Sequence, residues 1–331
     1  MIKRLLLPLA LISAAPAPVA VAPSPSEIVA AAPARDWVAI APSDLLVMDL
    51  AADAKGKPRR VVIQLMPAPF SQGWVGNVRK LATAHWWDGT SVNRVQDNYV
   101  VQWGDASEKK ALPEGLVKVG EGEYDLTLDG SLHFSPLTQR LRQQRFDKLR
   151  SDTTSAAEKT VEGVMGAFRG DSFAINTGFV SGWPIGINAK PTLAWPIHCY
   201  GMVGVGRGLP PDTGTGAELY TVIGTPPRHL DRNIALVGRV VEGIEHLSSL
   251  PRGTEALGFY KTAEERVPIV SIRIASELPA ADQPHLQYLS TESATFARYA
   301  DARANRRDPF FIKAAGGADI CNIPVPVRRA P

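Results

Sequence analysis

Arg94 and Gln102 stand eight positions apart, on either side of a turn, in a stretch from Ser91 to Gln102 that reads as strand, turn and strand. Arginine keeps its charge and presents a planar fork of N–H donors, so it suits polarising an electron-rich atom without exchanging a proton. Taken alone, such an arginine reads more readily as an exposed residue at a strand end. The other arrangements that could carry chemistry fall short. Gly201, Gly204 and Gly206 hint at a dinucleotide loop, but no strand–turn–helix unit with a downstream ribose-binding acid surrounds them. The run Gly178 to Gly182 is one residue out of register for a nucleophile elbow. The six histidines are scattered, with no pair at helical ligand spacing, and two distant cysteines do not make a zinc site. Conventional hydrolytic or redox apparatus is missing, and neither a metal nor a cofactor is expected.

The stretch Asp88-Gly89-Thr90-Ser91-Val92-Asn93-Arg94-Val95, followed by Tyr99-Val100-Val101-Gln102-Trp103-Gly104-Asp105, resembles the signature of the cyclophilin family. There an aspartate-glycine turn leads to Phe-His-Arg-Val and then to Phe-Met-x-Gln-Gly-Gly-Asp, and the spacing is kept here throughout. Further on, the run from His198 to Arg207 is similar to the family's His-x-x-Gly-x-x-x-Met-Ala-Asn segment. Glu218-Leu219-Tyr220 looks like its Gln-Phe-Phe stretch, and His229-Leu230-Asp231 like its Trp-Leu-Asp. Val237 to Val240 and Val241 to Gly243 resemble two later segments. The resemblance covers about 44–106 and 178–275.

The resemblance implies a closed eight-stranded antiparallel β-barrel with two short helices, and peptidyl-prolyl cis–trans isomerase activity without a covalent intermediate. It puts Arg94 at the catalytic position, with Gln102 supporting it. Tyr99, Val100, Gly206, Arg207, Glu218, Leu219, Tyr220 and His229 would bind substrate. Several residues depart from the pattern. Val92 and Asn93 replace the usual Phe-His, Trp103 replaces a glycine, Val100 is smaller than the usual methionine, and Ile234 stands where many members carry a histidine. The register leaves either Glu218 or Leu219 at the glutamine position. Glu218 there could pair with Arg94 and lock the guanidinium, in which case the chain would be a non-catalytic module that binds proline-containing segments.

Rotation about an X-Pro bond is slow because resonance gives the C–N bond partial double-bond character, with a barrier of roughly 18–20 kcal/mol. At the twisted midpoint that resonance is lost and the proline nitrogen gains a usable lone pair. A site that favours the twisted amide needs an apolar slot for the ring, a donor aimed at the nitrogen, and polar groups fixing the neighbouring carbonyls.

The elements that must position these residues are legible in outline. Leu45–Leu50 and Arg60–Leu65 read as a hairpin, and Val75, Val78, Leu81 and Ala82 recur at helical spacing. Leu126 to Phe134 alternates, and Ser135-Pro136 begins a basic helix through about Arg150, with a solvated face. Val241 to Leu250 reads as a short helix and Val267 to Ala275 as a late strand. Many short strands with few helices fit a barrel better than a βαβ fold. An insertion is expected at about 107–177, within a domain spanning 41–275, and an irregular C-terminal extension at 276–331.

The N-terminus has the texture of a secretory signal over 1–22: Lys3 and Arg4, a short apolar run from Leu5 to Ala15, then small residues. That run is too short to span a membrane, which takes roughly 20 apolar residues. Residues 23–40, rich in Ala and Pro, look like a flexible leader. The chain of 331 residues carries a formal charge of +3, and losing Lys3 and Arg4 leaves it close to neutral, which argues against a nucleic-acid partner. The expected partners are proline-containing segments of exported proteins, met by a monomer in a periplasm or outside the cell. Cys199 and Cys321 either pair in that oxidising setting or remain two buried thiols.

Overall fold

Leu45 to Leu50 is apolar at all but one position, a pattern that suits a strand covered on both faces. The computed structural model supplies the two covers. It describes residues 22–127, 171–188 and 193–331. The first elements are α1 (Pro25–Ala30), β1 (Trp37–Ala39), β2 (Leu45–Leu50), β3 (Arg59–Leu65), α2 (Gln72–Thr83), β4 (Ser91–Val95) and β5 (Val100–Gly104). Next come β6 (Leu126–Thr127), β7 (Asn176–Val180), β8 (Trp183–Ile187), β9 (Leu193–Pro196), β10 (Met202–Val205) and β11 (Leu219–Val222). The chain ends with β12 (Leu236–Glu242), α3 (Glu245–Ser248), β13 (Val267–Ile274), β14 (Leu286–Leu289), α4 (Ala294–Ala304) and β15 (Val327–Arg329).

Eight strands close into the expected antiparallel barrel, in the order β10-β11-β5-β4-β13-β2-β3-β12, with β12 returning to β10. Because side chains alternate along a strand, Leu46, Met48 and Leu50 of β2 meet Val61, Ile63 and Leu65 of β3 in the interior. Leu45 and Val47 face the other way, into a second cluster with Val62, Ala275 and Leu286. On β13 a register shift between Ile269 and Ser271 stretches the apolar spacing, so that Ile269 and Ile272 both reach the interior. The expected helix is α2, which buries Val75, Val78, Leu81 and Ala82, joined by Trp74, against the barrel. The helix expected over Val241–Leu250 is shorter, because β12 continues to Glu242 and Gly243 then turns the chain with φ +84°.

Between β5 and β10 the chain leaves the barrel. Within this excursion β6, β9, β8 and β7 form a separate sheet, so the interruption runs on through β9, beyond the expected boundary near 177. Arg239 of β12 fastens this sheet to the barrel. Buried, it donates to Gln64 Oε1 at 2.9 and 2.8 Å and to the Gly182 carbonyl at 2.7 Å, with its guanidinium 4.5 Å from the centre of the Trp183 ring. Burial lowers its pKa to about 10, which leaves it charged at neutral pH. The basic helix expected from Ser135 and the alternating run beyond Thr127 lie outside the described residues, as does the signal segment apart from Ala22.

Two expectations are corrected. The segment 23–40, expected as a flexible leader, forms regular structure: Ser24 accepts from the Glu27 N–H while the Glu27 carboxylate accepts from the Ser24 N–H, a capping box that starts α1 with Pro25 in its first turn. Its apolar residues Ile28 and Val29 join the main core, where α1 packs on α4. The extension over 276–331 is likewise built. β14 pairs with both β1 and β15, and Leu286 covers the outer face of β2. Cys199 and Cys321 are joined in a disulfide that ties this extension to the segment entering β10.

Candidate active site

β4, β5, β11 and β10 are neighbours, and their register sets four residues in one row. Arg94 stands opposite Gln102, Gln102 opposite Tyr220, and Tyr220 opposite Gly204. A register shift between Val92 and Arg94 shapes the first of these strands. Val92 and Val95 fill the barrel interior, while the two residues between them, Asn93 and Arg94, turn toward the site. Bulges of this kind re-aim side chains.

The Arg94 guanidinium is held on several sides. Nη1 donates to Gln102 Oε1 at 3.2 Å, Nε to the Leu257 carbonyl at 2.7 Å, and Nη2 to Gln96 Oε1. Its centre lies 5.3 Å from the Phe259 ring and 5.7 Å from that of Tyr99. Burial lowers its pKa, yet arginine remains protonated at any working pH. Beside it opens a cavity of about 690 Å³ with an apolar wall built from Tyr99, Val100, Tyr220, Leu230 and Ile234.

Of Glu218 and Leu219, it is Glu218 that faces the cavity. Its Oε2 lies 3.4 Å from Gln102 Nε2 and 3.4 Å from Asn93 Nδ2, and Gln102 therefore stands between the acid and Arg94. Burial pushes the carboxyl above its ordinary range, against the pull of these donors and of the Asp105 N–H. A Cβ at position 104 would meet the Glu218 carboxylate at 1.8 Å, so Gly104 makes room for it.

Of the expected substrate-binding residues, Tyr99, Val100, Gly206, Arg207, Glu218 and Tyr220 line the cavity. Leu219 does not: alternation along β11 sends it into the barrel interior, where it is fully buried. His229 is not in the lining either, and stacks on Tyr99 with ring centroids 6.4 Å apart. Leu257 and Phe259, which hold Arg94 from the loop before β13, escaped the reading of the sequence. They belong to no periodic run, and Phe259 pairs with β4 by an isolated bridge at Arg94 rather than through a strand.

The site is thus an arginine at the mouth of an apolar slot, carried by strands of a closed antiparallel barrel. The family described as cyclophilin type peptidyl-prolyl cis-trans isomerase/CLD matches residues 55–276. This chain belongs to that family. In structure it is similar to the cyclophilin AquaCyp293 from Hirschia baltica, with 21% identity and a TM-score of 0.61 over 89% of this chain and 94% of that one. At that identity the likeness is one of fold, and it extends past the family segment into the additions. A cyclophilin type peptidyl-prolyl cis-trans isomerase from Cryptosporidium parvum matches with 10% identity and a TM-score of 0.36, over 70% of this chain and 96% of that one. No curated protein matches the chain.

Proposed function

We propose that the chain accelerates rotation about X-Pro bonds in proline-containing segments of exported proteins, with Arg94 as the catalytic donor. The observation that carries this reading is the Arg94 guanidinium, held by Gln102 and the Leu257 carbonyl at the mouth of an apolar slot. The proline ring enters between Tyr99, Val100 and Tyr220. As the amide twists, its nitrogen acquires a lone pair, and a guanidinium N–H donates to it. Both planar isomers lack that acceptor, so the bond forms only near the transition state and lowers the barrier. A charge-assisted hydrogen bond of this kind contributes about 1.5–3 kcal/mol, or roughly ten- to a few-hundred-fold in rate. Glu218 bonds Gln102 rather than Arg94, which leaves the guanidinium available and favours an enzyme over a passive binding module.

Export is supported by the signal-like N-terminus and by the disulfide, since such bonds persist in oxidising compartments. A protease-coupled assay on a proline test peptide tests the catalytic reading: wild type accelerates isomerisation and Arg94→Ala does not. Equal rates for the two proteins overturn it. Fractionation of cells expressing the full chain tests the compartment.

A further inference from the structure

Beneath the slot runs a buried polar line that the isomerisation step does not use. His198, in the segment between β9 and β10, holds its Nδ1 2.9 Å from Asp231 Oδ1 and its Nε2 2.9 Å from the Tyr220 hydroxyl. The His198 backbone N–H donates to the same Asp231 oxygen at 2.9 Å. Asp231 Oδ2 accepts from Arg228 Nε at 2.6 Å, and both terminal nitrogens of Arg228 reach Asp171. All five side chains are buried.

The protonation pattern follows from the partners. Burial would raise the Asp231 carboxyl, but bonds from His198 and Arg228 hold it below its ordinary value, so it is an ionised acceptor. The imidazole proton therefore resides on Nδ1, facing that carboxylate. Burial pushes His198 below its usual pKa, which keeps the ring neutral and leaves Nε2 as an acceptor. Tyr220, whose hydroxyl burial keeps protonated, donates to it. The same Tyr220 ring walls the slot beside Val100, and it can cross β10 only because position 204 is glycine.

We propose that His198 is a positioning residue for the proline slot, fixing the Tyr220 ring through the hydroxyl so that the slot has one shape. A phenylalanine would fill the same volume but could turn and shift. The anchor reaches outside the barrel in two directions. Asp171 comes from the excursion between β5 and β10, and Cys199, next to His198, is bonded to Cys321 of the extension. Both additions thereby brace the slot wall.

This inference rests on the isomerase reading, and its test separates the two. ¹⁵N-histidine NMR of the wild type is expected to give His198 as the Nδ1–H tautomer, and an Nε2–H tautomer overturns the inference whatever the activity. In kinetics, Y220F is expected to lose about fivefold in kcat/KM, the effect of one neutral hydrogen bond, mainly through KM. H198L loses a similar factor, and H198Q, whose amide oxygen can accept in place of Nε2, recovers most of it. In the Y220F background, H198L adds less than about twofold, because the two act as one unit. An equal loss from H198L in both backgrounds, or full activity of Y220F, overturns the proposal. If the wild type proves inactive, the isomerase reading falls, and the same cycle read on the Kd of a proline peptide decides the positioning role.

Discussion

Gln102 joins two groups that the family pattern does not bring together as charges. Its Oε1 accepts from Arg94 at 3.2 Å and its Nε2 lies 3.4 Å from Glu218 Oε2. A single neutral amide thus orients the cation and buffers it from a carboxyl group whose burial already resists ionisation. Removing that amide has a defined consequence. Gln102→Leu leaves Arg94 its bonds to the Leu257 carbonyl and to Gln96 but strips Nη1 of its partner and removes the amide that separates it from Glu218. The variant is expected to lose about ten- to a hundredfold in kcat, in line with one bond to a charged group, with a smaller change in KM. Single-turnover kinetics on a proline peptide checks this, and an effect confined to KM counts against an orienting role.

Glu218→Gln removes a half-buried acid. The folded-state carboxyl sits above its unfolded value of 4.5, so the unfolded chain releases its proton first as pH rises. The wild type therefore carries the stability of the neutral acid below pH 4.5 and loses it as pH rises through the folded value. Glu218→Gln is expected to be the more stable protein at pH 7, with the difference vanishing toward pH 4. Thermal unfolding at several pH values reads this, and a constant difference across the range contradicts it.

The disulfide closes a long loop, since Cys199 and Cys321 are 122 residues apart. On chain-entropy grounds its loss costs about 4–5 kcal/mol. Cys199→Ser with Cys321→Ser is expected to unfold at clearly lower urea than the oxidised wild type, and to match the reduced wild type. An unchanged midpoint would show that α1, α4 and the β1-β14-β15 sheet hold the extension without the bond.

Gly204→Ala tests the slot wall from the opposite strand. The added methyl would come 2.3 Å from the Tyr220 ring and its hydroxyl, which forces the ring to move. Overpacking of this kind costs about 1–3 kcal/mol, and the displaced ring is expected to weaken binding of a proline peptide. Isothermal titration measures it, and an unchanged Kd in a folded variant argues that Tyr220 does not shape the slot.

The barrel was legible because short strand-like runs recur with few helices between them and the spacing of the cyclophilin-like segments is kept. Arg94 and Gln102 could be found for the same reason, as neighbours across one turn whose separation the β4–β5 pairing preserves. Leu219 shows the limit of pattern matching. Its place in a three-residue motif suggested the slot, but a side chain one position from Glu218 must face the opposite side of the strand. Leu257 and Phe259 were illegible for a different reason: they meet Arg94 across 163 and 165 positions of chain, from a loop with no period. The residues that fold 23–40 and 276–331 were hidden similarly. Leu45 and Val47 signalled that the outer face of β2 needs a cover, but nothing local said that Leu286 supplies it.

In the proposed function Arg94 lowers the barrier rather than merely gripping the peptide. NMR exchange spectroscopy on a proline peptide, with its Kd measured in the same samples, tests that most directly. Arg94→Ala and Arg94→Lys are expected to keep the Kd within about threefold of the wild type while catalysed exchange falls at least tenfold. Exchange that persists at the wild-type rate in Arg94→Ala, or that falls only in proportion to lost binding, contradicts it.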